Sequence, residues 1–425
     1  MVEKMKPSGI DWIGDIPNEW SVTKVRFVTK LRSEQGFYSS DDKYIGLENI
    51  SSYTGKYIST ESEYDTGTYD LYKAGDLLFS KLRPYLAKAL IADDCGFCTG
   101  ELAVIKEYNG DIRYLFYYML SDGFLEMVDA STYGAKMPRA SWDYIKNLQI
   151  PVMRKSEQQA IADFLDKECA QIDSIAADLE KQVTLLQQYK KSLITETVTK
   201  GLDKSVPMKD SGVEWTSKIP CYWEIKRFKY LCEYITDGSH FSPETTDEGY
   251  PYITAADVKG VGLDYDAAKK ISQQDFIFLQ KAGCQPRKSD VLLVKDGATT
   301  GRIGMVTSEK PCVVLSSVAI LRAPDNMDAR YLRYLMESDF VQAQIQASMA
   351  GSAMPRTVLS KIINYWGITC PKEEQKEICD FLDRKCGYIE TVIETKQVQQ
   401  STIQQHKKSL IYEYVTGKKR VKEVQ

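Results

Sequence analysis

Histidine is almost missing: the 425 residues hold two, His240 and His406. Serine–histidine and cysteine–histidine catalytic pairs therefore have next to nothing to be built from. No apolar run approaches the roughly 20 residues that a membrane helix needs. The start, Met1-Val2-Glu3-Lys4-Met5-Lys6-Pro7, lacks the apolar stretch of a secretory signal, so a cytoplasmic location is expected. A Gly-x-x-x-x-Gly-Lys-Ser/Thr phosphate loop is absent. Gly297-Ala298-Thr299-Thr300-Gly301-Arg302 imitates one without the lysine and with too short a spacing. The Asn/Asp-Pro-Pro-aromatic tetrapeptide that holds a flipped base is absent too, as is a Gly-rich cofactor loop of the usual methyltransferase kind. No catalytic residue is expected. The ten cysteines are scattered, and Cys95 and Cys98 form a lone pair at metal-ligand spacing with no second pair, so neither disulfides nor a metal site is expected. The net charge of −4 argues weakly against nucleic acid. Phosphate binding needs a local basic face rather than a basic total.

What is present is repetition. Met5–Trp20 (MKPSGIDWIGDIPNEW) returns as Met208–Trp223 (MKDSGVEWTSKIPCYW), 203 residues on. Met137-Pro138-Arg139 returns as Met354-Pro355-Arg356 at an offset of 217. The same offset relates Glu157-Gln158 to Glu374-Gln375, Phe164-Leu165-Asp166 to Phe381-Leu382-Asp383, and Lys190–Ile194 to Lys407–Ile411. The chain is a duplication, with about 14 additional residues in the middle of the second copy. Each copy opens on an Ile-Pro-x-x-Trp turn. Strand-like runs follow: Tyr44–Ile50, Asp76–Leu82 and Glu101–Lys106, then Tyr250–Ala255, Val291–Lys295 and Cys312–Arg322. A helix of 3.6-residue period is predicted over Ile112–Met127 and again over Ala329–Ala347. A last strand (Asn147–Val152; Asn364–Cys370) leads past Pro151 or Pro371 into a long helix. Matched ends and unmatched middles imply a fixed frame holding two different bodies. The tryptophans Trp12, Trp20, Trp215 and Trp223 belong to the frame and read as core anchors.

From Ser156 to Thr199 there is neither glycine nor proline, and Ser156 with Glu157 is a candidate N-terminal cap. Leu165, Ile172, Leu179, Leu186 and Leu193 recur every seven residues, as do Leu382, Ile389, Lys396, Ile403 and Leu410. That is a coiled-coil seam. A second stripe three residues on contains Ile175, Tyr189 and Val392, diluted by Glu168, Gln182, Gln399 and His406. About 43 residues at 1.5 Å each make a rod of roughly 65 Å. The partner for each helix is expected to be its duplicate, running antiparallel. Lys191, Lys200 and Lys204 read as a solvated face.

The two Ile-Pro-x-x-Trp openings, two Met-Pro-Arg segments and two Glu-Gln…Phe-Leu-Asp helices together resemble the specificity subunit of type I restriction–modification systems. The resemblance covers essentially the whole chain. It includes the joint Val198-Thr199-Lys200-Gly201-Leu202…Met208–Trp215, and departs only in lacking paired prolines before Glu-Gln. It implies an α+β chain of two tandem, pseudo-twofold-related α/β target-recognition domains separated by two long antiparallel coiled-coil helices. The boundaries would be 1–155 and 201–372 for the domains, 156–200 and 373–417 for the helices, and 418–425 for a tail. It also implies that each domain reads one half of a bipartite double-stranded DNA site. Two methyltransferase subunits and motor-nuclease subunits would be the partners, and S-adenosylmethionine, ATP and Mg would belong to them.

Base reading needs polar loops that reach a groove, flanked by cations. The candidates are Lys81, Arg83, Tyr85 and Lys88 after one strand, and Lys295, Thr299, Thr300 and Arg302 at the equivalent place. The Gly-containing loops Tyr133–Arg139 and Gly351–Arg356 add Lys136, Arg139 and Arg356, of which the arginines read equally as helix caps. Asp237-Gly238-Ser239-His240 is an exposed turn that adds His240. The competing class of function is a DNA-independent scaffold of two interaction domains on a coiled coil.

Overall fold

The computed structural model describes residues 4–134, 136–260, 262–349 and 355–421, so Ala135 and Gly351–Met354 of the two predicted Gly-containing loops lie outside the described residues. The chain forms two compact units, Met1–Lys181 with Lys396–Gln425, and Gln182–Thr395. Each unit is therefore one body plus the start of one long helix and the end of the other.

In the first unit, β1 (Ser21–Lys24) enters a one-turn helix α1 (Val25–Val28) and then β2 (Thr29–Leu31). β3 (Leu77–Ser80), β4 (Ala89–Ile91) and β5 (Leu102–Tyr108) complete an antiparallel sheet in the order β2-β5-β3-β4. Both faces of this sheet are buried, which is why its strands read as unbroken apolar runs rather than alternating ones. Leu77, Phe79 and Ile105 face a core with Tyr114 and Phe124, whereas Leu78 and Val104 face Ile45 and Tyr72 of a second four-stranded sheet. Helices α2 (Ile112–Met119) and α3 (Asp122–Ala130) follow, then β6 (Gln149–Val152), which pairs with β1. The long helix α4 (Lys155–Lys200) comes next. The single helix expected over 112–127 is thus broken. Ser121 is extended, and its hydroxyl donates to the Tyr118 carbonyl instead of continuing the helix.

The second unit repeats this plan. β7 (Glu224–Arg227), α5 (Phe228–Leu231) and β8 (Tyr234–Asp237) open it. An added helix α6 (Gln273–Lys281) follows, then β9 (Val291–Val294), β10 (Ile303–Met305) and β11 (Val318–Arg322), giving the sheet order β8-β11-β9-β10. α7 (Ala329–Glu337) and α8 (Asp339–Ser348) break at Ser338, whose hydroxyl donates to the Leu335 carbonyl; here too one expected helix is two. β12 (Trp366–Thr369) pairs with β7 and leads into α9 (Lys372–Val415). The expected strand Cys312–Arg322 is likewise two, Val313–Val314 and Val318–Arg322, in different sheets. α6 accounts for much of the extra length of the second copy. Ser272 and Asp275 cap it reciprocally, the Asp275 amide donating to the serine hydroxyl and the hydroxyl to the carboxylate.

The duplicated residues are the staples between body and helix. The indole of buried Trp20 donates to Glu157 at 3.1 Å, and that of buried Trp223 to Glu374 at 3.0 Å. Trp12 and Trp215 are partly buried against the two cores, so the four tryptophans pack as anchors. Gln158 and Gln375, both buried, each accept the backbone amide (Asp111 or Asp328) that starts the body helix, at 3.0 Å. Asp166 accepts from Tyr117 and Arg113, and Asp383 from Tyr334 and Arg330. Buried polar groups have to be bonded, so these residue types recur because the same bonds recur. α4 begins at Lys155, so Ser156 is inside the helix and is not its cap.

Within each unit the two helix segments run antiparallel. In the first, Asp173 pairs with Lys407 at 2.7 Å and Glu157 with Arg420 at 2.6 Å; in the second, Lys190 meets Glu390 and the helix end at Gly201 meets Glu374. Leu165, Ile172, Leu382, Ile389 and Leu410 are buried; Leu179, Leu186, Leu193 and Ile403 are half-buried. The second stripe is corrected by one residue. Cys169, Ala176, Val183 and Lys190 line the seam in α4, and Cys386, Ile393 and Lys407 do so in α9, whereas Ile175 and Tyr189 are 48% and 57% exposed. A step of four after each leucine places the more apolar set inward, as a seam alternating four and three requires. Lys191 pairs with Asp339 and Lys204 with Glu196 at the surface. No helix among the described residues is long and apolar enough to cross a membrane.

Candidate nucleic-acid interface

The two predicted loops of each body meet. β3 and β4 form a hairpin whose tip is 81–88, and β9 and β10 form one whose tip is 295–302. The Arg83 amide donates to the Pro138 carbonyl at 2.7 Å, and the Gly297 amide to Pro355 at 3.0 Å. The amide of Ala140 donates to Lys81, and that of Thr357 to Lys295. Bridges Leu82–Arg139 and Asp296–Arg356 complete the join. Hairpin tip and Met-Pro-Arg segment are therefore one surface in each unit.

The tips share a backbone but differ in side chains. Arg83 (φ 50°) and Gly297 (φ 92°) are equivalent, as are Ala87 (φ 48°) and Gly301 (φ 95°). A left-handed conformation costs an L-residue about 1–2 kcal/mol and costs glycine nothing. The first tip holds an arginine and an alanine there, fixed by the bonds just described. Arg83 also donates to the Lys136 carbonyl at 3.3 Å, while its Nε is buried without a partner.

The candidate cations fall into three groups. Lys136 and Arg302 are exposed, Arg302 making one long bond to the Val258 carbonyl at 3.4 Å. Arg139 and Arg356 are exposed but carry their own counter-charges, Glu101 and Asp296. Lys295 is 2% exposed, between Asp237 at 3.6 Å and Asp296 at 3.5 Å. Lys81 is half-buried and burial holds its ammonium below the usual lysine range. Lys88 is likewise lowered by burial, and donates to the Leu47 carbonyl at 2.6 Å. His240 is exposed, 3.3 Å from Asp237. Tyr85 is half exposed and Thr299 partly so; the Thr300 hydroxyl reaches both Gly297 and Pro355 carbonyls. Lys136 and Arg302 are thus the cations placed to meet phosphate without breaking a pair. The Arg139 and Arg356 guanidiniums, oriented by a carboxylate, keep free N–H donors for a planar acceptor.

Sequence reasoning missed the acids that orient these arginines and the exposed aromatic pair Phe241–Phe278, 5.9 Å apart, on the His240 turn and α6. The Ser272-x-x-Asp275 cap was the available signal for α6. Cys95 is exposed and Cys98 buried, its thiol pushed up to about 12 by burial. No group of three or more His, Cys, Asp or Glu among the described residues is arranged to hold a metal ion.

Residues 13–185 and 220–401 each match the family described as the type I restriction modification DNA specificity domain. The chain is 24% identical over 341 residues to the type I restriction enzyme MjaVIII specificity subunit of Methanocaldococcus jannaschii, covering 77% of this chain and 75% of that protein. It is 22% identical over 437 residues to the putative type I restriction enzyme MjaX specificity subunit of the same organism, covering 96% of each. Among solved structures it is similar, with a TM-score of 0.71 and 16% identity over 94% of this chain and 98% of the other, to a chain described under complex assembly and conformational transition of the type I R-M system. That likeness extends to the fold.

Proposed function

Because the chain belongs to the type I restriction–modification DNA specificity family, we propose that it reads a bipartite DNA site, one half-site per unit, and carries the catalytic subunits to it. Its part in the enzyme is recognition, not catalysis. The observation that carries the reading is the duplicated surface in which a hairpin tip is bonded to the Met-Pro-Arg segment. The backbone is the same twice, while the side chains offered differ (Arg83, Tyr85 and Lys88 against Gly297, Thr299 and Arg302). One scaffold with two side-chain sets is what reading two unlike half-sites requires. Lys136 and Arg302 take phosphates, and Arg139 and Arg356 take base edges. Two methyltransferase subunits and the motor-nuclease subunits join this chain, and S-adenosylmethionine, ATP and Mg are bound by them.

The test is to sequence the methylome of a host expressing the three genes, then to exchange Lys30–Asn147 for another member's body. A split methylated site in which one half alone changes supports the reading. Change in both halves, or no sequence-specific methylation at all, defeats it; the second outcome would favour a scaffold that does not read DNA.

A further inference from the structure

A second duplicated surface lies away from the hairpin tips. The one-turn helices α1 and α5 are equivalent. Val25 and Phe228 are fully buried, with amides that donate to the Leu148 and Tyr365 carbonyls at 2.9 Å in both. The turn then presents an aromatic ring outward, Phe27 at 67% exposure and Tyr230 at 70%. A cation covers each ring: the Arg26 guanidinium is 4.8 Å from the centre of Phe27, and the Lys229 ammonium 5.1 Å from that of Tyr230. Beside each ring is a cleft, with Asn109 in the first unit and Asn326 in the second among its lining residues. Single exposed aromatics are ordinary. An exposed ring with its cation at the same position of both repeats is not covered by that explanation.

The contrast with the hairpin tips indicates the partner. Where the tips differ between repeats, the object they meet differs. Where the repeats present the same ring and the same charge, the object is the same twice. A DNA site with unlike halves does not meet that condition, and a protein present in two identical copies does. We infer that Arg26–Phe27 and Lys229–Tyr230 are the paired docking points for the two methyltransferase subunits, each offering an apolar side chain to the ring and a carboxylate to the cation. This rests on the function proposed above. Aromatics and arginines, desolvated at the centre of an interface, carry much of the binding energy.

The experiment uses the full chain with its cognate methyltransferase subunit, and reads stoichiometry by native mass spectrometry and binding by titration. Phe27→Ser and Tyr230→Ser each weaken one docking position about 30-fold. Each single variant then gives an assembly with one methyltransferase subunit at sub-micromolar concentration, and the double variant gives none. Arg26→Glu with Lys229→Glu acts in the same direction. Both rings are exposed, so thermal unfolding of the chain stays as in the wild type. A double variant that still takes two subunits at wild-type affinity overturns the inference. So does a variant that keeps both subunits and loses DNA affinity, which assigns the patch to DNA. If the wild-type chain binds no methyltransferase, the function reading fails as well, and the wild-type titration alone reveals it.

Discussion

Lys407 and Asp173 make a contact whose worth can be set against its own duplicate. Their side chains are 4% and 9% exposed and 2.7 Å apart, and the lysine also donates to the Tyr53 carbonyl at 3.1 Å. The repeat-equivalent pair, Lys190–Glu390, is 28% and 50% exposed. At an effective dielectric of about 20, unit charges at that distance attract by roughly 6 kcal/mol. Desolvation offsets most of that gain, so the intact pair adds little. Removing one partner is another matter, because the other charge is left buried: Lys407→Ala should cost about 3–5 kcal/mol. Lys190→Ala should cost about 0–1 kcal/mol, as exposed pairs do. For a unit of this size each kcal/mol lowers Tm by about 2–4 °C, so Lys407→Ala shifts the first unit's transition by roughly 6–20 °C. Thermal and urea unfolding of the full chain, with tryptophan emission resolving the two units, measures both. The combination Lys407→Met with Asp173→Leu should restore most of the loss, since a well-packed apolar pair can replace a buried ionic one. Equal costs for the two lysine variants would refute the reasoning, because the two positions differ chiefly in burial.

Two further outcomes follow from the tips. Arg302→Ala should weaken binding of the methyltransferase assembly to all DNA sequences and reduce the salt slope by about 0.9, whereas Lys295→Met, whose ammonium is buried between two carboxylates, should leave the slope unchanged and lower the melting temperature; fluorescence titrations across salt separate them. Arg83→Gly should stabilise the first unit by about 1 kcal/mol through relief of the left-handed strain, while its assembly loses affinity in the same titrations; a destabilised Arg83→Gly would mean that the side chain, not the backbone, holds the tip.

The duplication was legible because identical hydrogen bonds demand identical partners, as Trp20–Glu157 and Trp223–Glu374 illustrate. The heptad leucines were legible for a similar reason. The second stripe was not, because Ile175 and Tyr189 are more apolar to the eye than Ala176 and Lys190. Lys407 shows why that eye fails: a lysine is a seam residue when an aspartate faces it from another helix. The breaks at Ser121 and Ser338 were written as Ser-Asp, an N-cap pair that the surrounding apolar period concealed. Among the candidate cations, exposure and pairing decided the outcome, and both depend on residues distant in sequence. Asp237 and Asp296 bury Lys295, and Glu101 orients Arg139. The partition of each long helix between two units was beyond reach too, since nothing local at Lys181 or Lys396 marks it.

That partition makes the fate of a half-chain a sharp prediction. A chain ending at Lys204 keeps the first body and all of α4 but loses the segment of α9 that completes the first unit. Leu165, Cys169 and Ile172 would lose Ile403, Leu410, Ile411 and Val415 from their core. The equivalents of those four residues are Leu186, Leu193, Ile194 and Val198, which a second copy supplies from its own α4. Lys190 of that copy takes the place of Lys407 against Asp173. Its Val198 carbonyl takes the place of Val415 as acceptor for Tyr114, just as Val198 already accepts from Tyr331 in the full chain. Two contacts are lost: the Phe164–Tyr414 ring pair, whose equivalent is Thr197, and Arg420 with Glu19 and Glu157, whose equivalent is Asp203. Four buried aliphatic side chains at each of two equivalent interfaces are worth about 12–24 kcal/mol gross, against roughly 4–15 kcal/mol for association. The half-chain should therefore be a homodimer at micromolar concentration in sedimentation equilibrium. Asp173→Lys should disrupt it, and Asp173→Lys with Lys190→Asp should restore it. A closed homodimer is twofold, so two identical readers meet DNA as an inverted repeat. With methyltransferase bound, the dimer should modify a palindromic split site made from the first half-site. A monomeric half-chain, or a dimer indifferent to Asp173→Lys, would show that the helix segments do not pair through this seam.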